Sequence, residues 1–159
     1  MSGLAPGGIL ALDISTKTGW AYGHPSTRLT KPAAQGLWDL GGMIPSIAKP
    51  GAALADSLAD AFEVMQPSLL IIEAPLAKQQ STARLLLGLA YVAELVAYRW
   101  SVRCREEMPQ TVRKQIMGRG NGWKKPDIVS WVQARGIQTT DHNVADACIL
   151  WFYAAALES

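Results

Sequence analysis

Much that would steer a reading elsewhere is missing from this chain. No uncharged apolar run among its 159 residues reaches the roughly twenty residues that a membrane span requires. The longest candidate, residues 85–100, is broken by Glu94 and Arg99, and its spacing suits a helix packed against protein. The first residues, Met1-Ser-Gly-Leu-Ala-Pro-Gly-Gly, lack the basic start and apolar core of a secretion signal, which predicts a cytoplasmic protein with no membrane partner. Cysteine is scarce: Cys104 and Cys148 form no CxxC motif, so free thiols inside predicted core elements are expected rather than a disulfide framework. Internal repeats and low-complexity linkers are also absent. With 49% hydrophobic and 18% charged residues, the composition predicts one globular domain with one well-buried core.

What is present is a pattern of acids at the ends of apolar runs. Asp13 ends Gly8-Ile-Leu-Ala-Leu-Asp13, and Glu73 ends Leu69-Leu-Ile-Ile-Glu73. Asp146 lies in Asp141-His-Asn-Val-Ala-Asp-Ala147, ahead of an apolar helical tail. A carboxylate at the end of a buried strand is costly to desolvate unless a positive group pairs with it. Only Lys17 lies near Asp13 in sequence, and no Lys or Arg falls within four residues of Glu73. A divalent cation shared by Asp13, Glu73 and Asp146 would remove that cost, and it points to metal-assisted phosphodiester chemistry.

The element order supports this convergence. Aliphatic runs predict strands over residues 9–14, 20–23, 34–39, 69–73 and 102–106. Helical spacing predicts helices over 51–65, 81–101 and 142–157, and two shorter ones opening at Pro109 and Pro126. Three strands, helix, strand, helix, strand, helices describes an α/β domain with a five-stranded mixed sheet flanked by helices. The first and fourth strands should be parallel neighbours, bringing Asp13 and Glu73 together at the sheet edge where ligands bind in such folds. On the last helix, Asn143 and His142 share the face of Asp146 and qualify as a fourth ligand. Asp141 is placed to cap that helix.

All-oxygen ligands suit two Mg²⁺ ions, or Mn²⁺ in their place, about 4 Å apart in a two-metal hydrolysis that leaves 5′-phosphate and 3′-hydroxyl ends. His142 or Lys78 is a candidate for assisting proton transfer. The net charge is only +2, yet nine basic residues lie between Arg99 and Arg135 against three acids. They flank Gly118-Arg-Gly-Asn-Gly-Trp123-Lys-Lys125, where an approachable backbone, cations and a ring suit a phosphate chain. Arg113, Lys114, Arg119, Lys124 and Lys125 are the DNA-contact candidates from this stretch, and Lys78 is a further one outside it.

Four segments taken together, Ile9-Leu-Ala-Leu-Asp-Ile-Ser-Thr-Lys-Thr-Gly-Trp-Ala-Tyr-Gly23, Leu70-Ile-Ile-Glu-Ala-Pro-Leu-Ala-Lys78, Thr111-Val-Arg-Lys-Gln-Ile-Met-Gly-Arg-Gly120 with Lys124, and Ala145-Asp-Ala147, resemble the RuvC-type Holliday junction resolvases of the ribonuclease H-like superfamily. The resemblance spans nearly the whole chain and extends to phage-type members with looser junction selectivity. It implies a ribonuclease H-like fold and Asp13, Glu73 and Asp146 as metal-binding catalytic acids. It also implies that Arg113 and Lys124 meet DNA phosphates, and that Leu76 wedges near a junction centre. Asn143 departs from the Asp or His usual at its position. The implied partners are a four-way DNA junction and a second copy of the chain, inside a bacterial or phage-infected cell. Leu85, Leu86, Leu89, Val92, Ala93, Val96 and Trp100 are expected to give the long helix an apolar face for that dimer. Other readings are a ribonuclease H-like nuclease for different substrates, a non-catalytic DNA-binding module, or a sugar kinase or actin-like ATPase, whose phosphate loop Asp13-Ile-Ser-Thr-Lys-Thr-Gly19 resembles and which would require a second domain.

Overall fold

A computed structural model describes residues 4–25, 31–76 and 79–158. Its five-stranded sheet runs in the order β3-β2-β1-β4-β5, with β1 Ile9–Asp13, β2 Lys17–Gly23, β3 Ala34–Asp39, β4 Leu69–Glu73 and β5 Arg103–Glu107. The pairs β1–β2 and β2–β3 are antiparallel, while β1–β4 and β4–β5 are parallel. The expected mixed sheet, and the adjacency of the first and fourth strands, are therefore present.

The helices are α1 Ala48–Met65, α2 Gln80–Arg99, α3 Pro109–Met117, α4 Lys125–Gln133 and α5 His142–Glu158. Most boundaries differ from the expected ones by a residue or two. Two shifts are larger. Helix α1 opens at Ala48 because Pro50 falls in its first turn, where a missing N–H costs nothing. Strand β2 opens at Lys17, because the Ser15 and Thr18 hydroxyls close a tight turn by bonding the Lys17 and Ser15 backbone. Among the described residues no helix is long and apolar enough to cross a membrane.

Strand alternation decides what each face of the sheet meets. Leu10, Leu12, Leu70 and Ile72 face α1 and α2, whereas Ile9, Ala11, Leu69 and Ile71 face α3, α4 and α5. With a period of two, the next residues on the second face are Asp13 and Glu73. The register pairs Leu12 with Ile72, so these two acids emerge side by side from strands about 4.8 Å apart.

Helix α5 crosses that face and is buried almost all round, from Val144 to Ala154, as a central helix must be. Gly19 sets how closely α5 can approach. It lies opposite Asp13 in the antiparallel register, and a Cβ there would fall 2.0 Å from the Asn143 carbonyl oxygen. Only a residue without a side chain lets the start of α5 rest on β2, and Asp146 follows within one turn.

The expected dimer face of α2 looks elsewhere. Leu85, Leu89 and Ala93 are buried in the layer under α1, and only Trp100 of the expected set is exposed. The outward apolar residues of the helix are Leu87, Tyr91 and Tyr98, at 60, 64 and 82% exposure. Helix α2 carries apolar residues on more than one side, and sequence spacing alone assigned the inner side to a partner. Cys148 is buried, but Cys104 is only half-buried, because β5 is the edge strand of the sheet.

Candidate active site

Asp13 at the end of β1, Glu73 at the end of β4 and Asp146 on α5 line a single cavity of about 360 Å³. His142 and Asn143 from the first turn of α5 line it too, as do Arg113 of α3, Lys125 at the start of α4, and Leu76 just past β4. Three remote segments thus deliver their acids to one place. Asp141 caps α5: its Oδ1 accepts from the Asn143 and Val144 backbone N–H groups at 2.8 and 3.1 Å. That cap orients the turn carrying His142 and Asn143.

Burial raises all three acids, and neighbouring acid charge raises Asp13 and Glu73 further. Burial, the Asp146 charge and the Asp141 charge push Asp13 up to about 8 against a partial counter-effect from Arg113. Burial, then the charges of Asp13 and Asp146, hold Glu73 well above the usual carboxylate range. Asp146 is also raised by burial, with Arg113, His142 and Lys125 opposing. Like charges in a desolvated site favour the proton unless a cation replaces it.

One cation is already there, and it is not the one that sequence proximity suggests. Lys17 pairs with Asp39 at 3.1 Å on the protein surface, because the register sets the two opposite each other on β2 and β3. Arg113 instead donates from Nη2 to Asp146 Oδ1 at 3.0 Å, with side chains 26 and 13% exposed. Val112 beside it is fully buried and anchors α3 against α5, which carries Arg113 to the cavity.

The remaining basic candidates sit further out. Lys114, Arg119 and Lys124 are exposed. The Arg119 guanidinium lies 4.4 Å from the centre of the Trp123 ring, whose indole N–H donates back to the Arg119 carbonyl. Lys124 caps α4, its backbone N–H donating to Asp127 Oδ2. Leu76 is 54% exposed at the mouth of the cavity. Lys78 lies outside the described residues. Two contributions have no local signature in the sequence, the Gly19 contact and the Arg113–Asp146 ion pair.

The donor set fits a hard divalent cation: three carboxylates, an amide oxygen at Asn143 and no thiol. Among the described residues no three acid, histidine or cysteine side chains already stand as a closed metal cage. The ion pair to Arg113 is consistent with that, since it engages one oxygen of Asp146. The acids line one cavity and are under-neutralised, and one of them is paired with Arg113.

No family model matches this sequence, and no curated protein does. Solved structures do. Thermus thermophilus RuvC is similar at 13% identity and a TM-score of 0.77, over 95% of each chain. T. thermophilus RuvC in complex with a Holliday junction substrate is similar at 13% identity and a TM-score of 0.80, over 95% of this chain and 94% of that one. The yeast mitochondrial Holliday junction resolvase Ydc2 is similar at 12% identity and a TM-score of 0.50, over 98% and 82%. The chain therefore has the RuvC-like, ribonuclease H-type fold, and Asp13 and Glu73 end the central parallel strand pair of that sheet.

Proposed function

We propose that this protein is a divalent-metal-dependent endonuclease that cuts four-way DNA junctions with paired nicks. The observation that carries the reading is the meeting of Asp13, Glu73 and Asp146 in one cavity, on a fold shared with a RuvC solved on a junction substrate. Mg²⁺ is the preferred ion and Mn²⁺ can replace it; when bound, these ions supply the Lewis acidity for phosphodiester hydrolysis, leaving 5′-phosphate and 3′-hydroxyl ends.

The chain's own residues do the rest. The carboxylates provide the negative site, and His142 stands in the same cavity as a candidate proton carrier. Lys125 at the cavity wall, with Lys114, Arg119 and Lys124 outside it, attracts the phosphate backbone. Leu76 at the mouth is an apolar wedge for bases at the branch point. Paired nicks need two active sites related by a two-fold axis, so the working form is a homodimer. Leu87, Tyr91 and Tyr98 give α2 an exposed apolar stripe at helical spacing that such a dimer would cover.

The test offers one preparation a labelled four-way junction, a flap and an RNA–DNA hybrid, with Mg²⁺ or with EDTA. Symmetrical, chelator-sensitive nicks in the junction are expected, with weaker cutting of the flap. Preferential cutting of the hybrid would transfer the protein to another nuclease activity of this fold. No metal-dependent cutting of any substrate would leave a binding module.

A further inference from the structure

Arg113 is bound in a way that leaves it unfinished. One Nη donates to Asp146, but its Nε–H is buried and has no hydrogen-bond partner, alone among the buried side-chain polar atoms of the described residues. An unpaired buried donor is disfavoured, and a guanidinium fork is built for two parallel bonds to a carboxylate or a phosphate. The Asp146 oxygen that holds it belongs to the acid cluster where a divalent ion fits. A guanidinium and a divalent ion compete for that carboxylate, because each draws on the same negative charge and each cation repels the other at such close range.

We infer that Arg113 is an exchangeable counter-cation: it occupies Asp146 in the metal-free protein and is displaced when a divalent ion loads. The inference rests on the metal-dependent reading above and adds a competition that reading does not require. Freed from Asp146, the fork has both an Nη pair and the idle Nε–H to offer a phosphate oxygen beside the site. The substrate backbone would thus find its arginine only where metal is already in place. In an incompletely loaded site this one contact to the scissile phosphate would be missing, while the exposed Lys114, Arg119 and Lys124 still hold the rest of the backbone. The exchange thus ties placement of the scissile phosphate, not overall junction affinity, to readiness for hydrolysis.

The experiment uses the full chain without DNA. Mg²⁺ binding is measured by calorimetry for the wild type and for Arg113→Met, while the Arg113 Nε–H resonance of ¹⁵N-arginine-labelled wild type is followed as Mg²⁺ is added. The variant is expected to bind Mg²⁺ about tenfold more tightly, the scale of one charge-assisted bond no longer competing. The Nε–H resonance is expected to move with the same midpoint as the calorimetric binding. Unchanged or weaker Mg²⁺ binding by a folded variant would overturn the exchange. So would a resonance that stays put at saturating Mg²⁺, a readout that holds even if the variant does not fold. If neither protein binds Mg²⁺, the nuclease reading falls as well; if both bind it and the arginine stays still, only the exchange falls.

Discussion

Glu73→Gln protein is expected to bind a four-way junction and leave it intact. The substitution keeps the shape of the side chain and removes one negative charge from a site whose purpose is to hold cations. Loss of a charged ligand from a two-metal centre should lower the cleavage rate at least about a thousandfold, some 4 kcal/mol of transition-state stabilisation. Asp13→Asn and Asp146→Asn should do the same, because the three acids act as one unit and their effects will not add. Junction affinity should hold or rise, since a phosphate approaching the cavity meets less repulsion. Single-turnover cleavage and a mobility-shift assay on the same preparations separate the two effects. Nicking by Glu73→Gln at near the wild-type rate would remove that residue from the chemistry.

The second large effect is expected at a residue with no side chain. In Gly19→Ala the new Cβ would stand 2.0 Å from the Asn143 oxygen and 2.2 Å from its carbonyl carbon, both backbone atoms. No rotamer change relieves that contact, so the start of α5 must retreat from β2. Overpacking of this kind costs about 3 kcal/mol or more when backbone has to move, which for a chain of this size lowers Tm by roughly 10 °C. Cleavage should fall further than stability alone explains, because Asp146 travels with the displaced turn. Thermal unfolding and cleavage at a temperature where the variant is still folded provide the check. A variant with wild-type Tm and full activity would show that α5 is not seated as described.

These two predictions draw on different levels of the sequence. The acids announced themselves, because a charged residue ending an aliphatic run is conspicuous and strand alternation then decides which face it takes. The parallel neighbours β1 and β4 followed from a helix standing between two short apolar runs. Gly19 did not stand out, since a glycine after Ser15-Thr-Lys-Thr reads equally well as a turn residue. Its importance lies in a contact with a helix more than a hundred residues later. Arg113 was legible as a basic residue in a basic stretch, and that reading assigned it to DNA. Its pairing with Asp146 depends on how α3 packs against α5, which local periodicity does not encode. The inner face of α2 shows the same limit: apolar spacing finds a stripe but does not say whether α1 or a second copy covers it.

If three buried carboxylates are gathered for a divalent cation, thermal stability must depend on pH and on metal together. Burial and the neighbouring Asp146 charge push Asp13 from 3.8 up to about 8 in the folded chain, and Glu73 and Asp146 are raised in the same direction. Between these values the folded state holds protons that the unfolded state has released, so metal-free stability must fall as pH rises. A cation bound only to the folded state restores that stability, most strongly at the upper end, where the carboxylates are free to ligate. The prediction is a Tm that declines from pH 5 toward pH 8 in EDTA and recovers in Mg²⁺, with both trends weakened in Asp13→Asn. A Tm that is flat or rises through that range without metal, and does not respond to Mg²⁺ at pH 8, would mean that these acids are not held together for a cation.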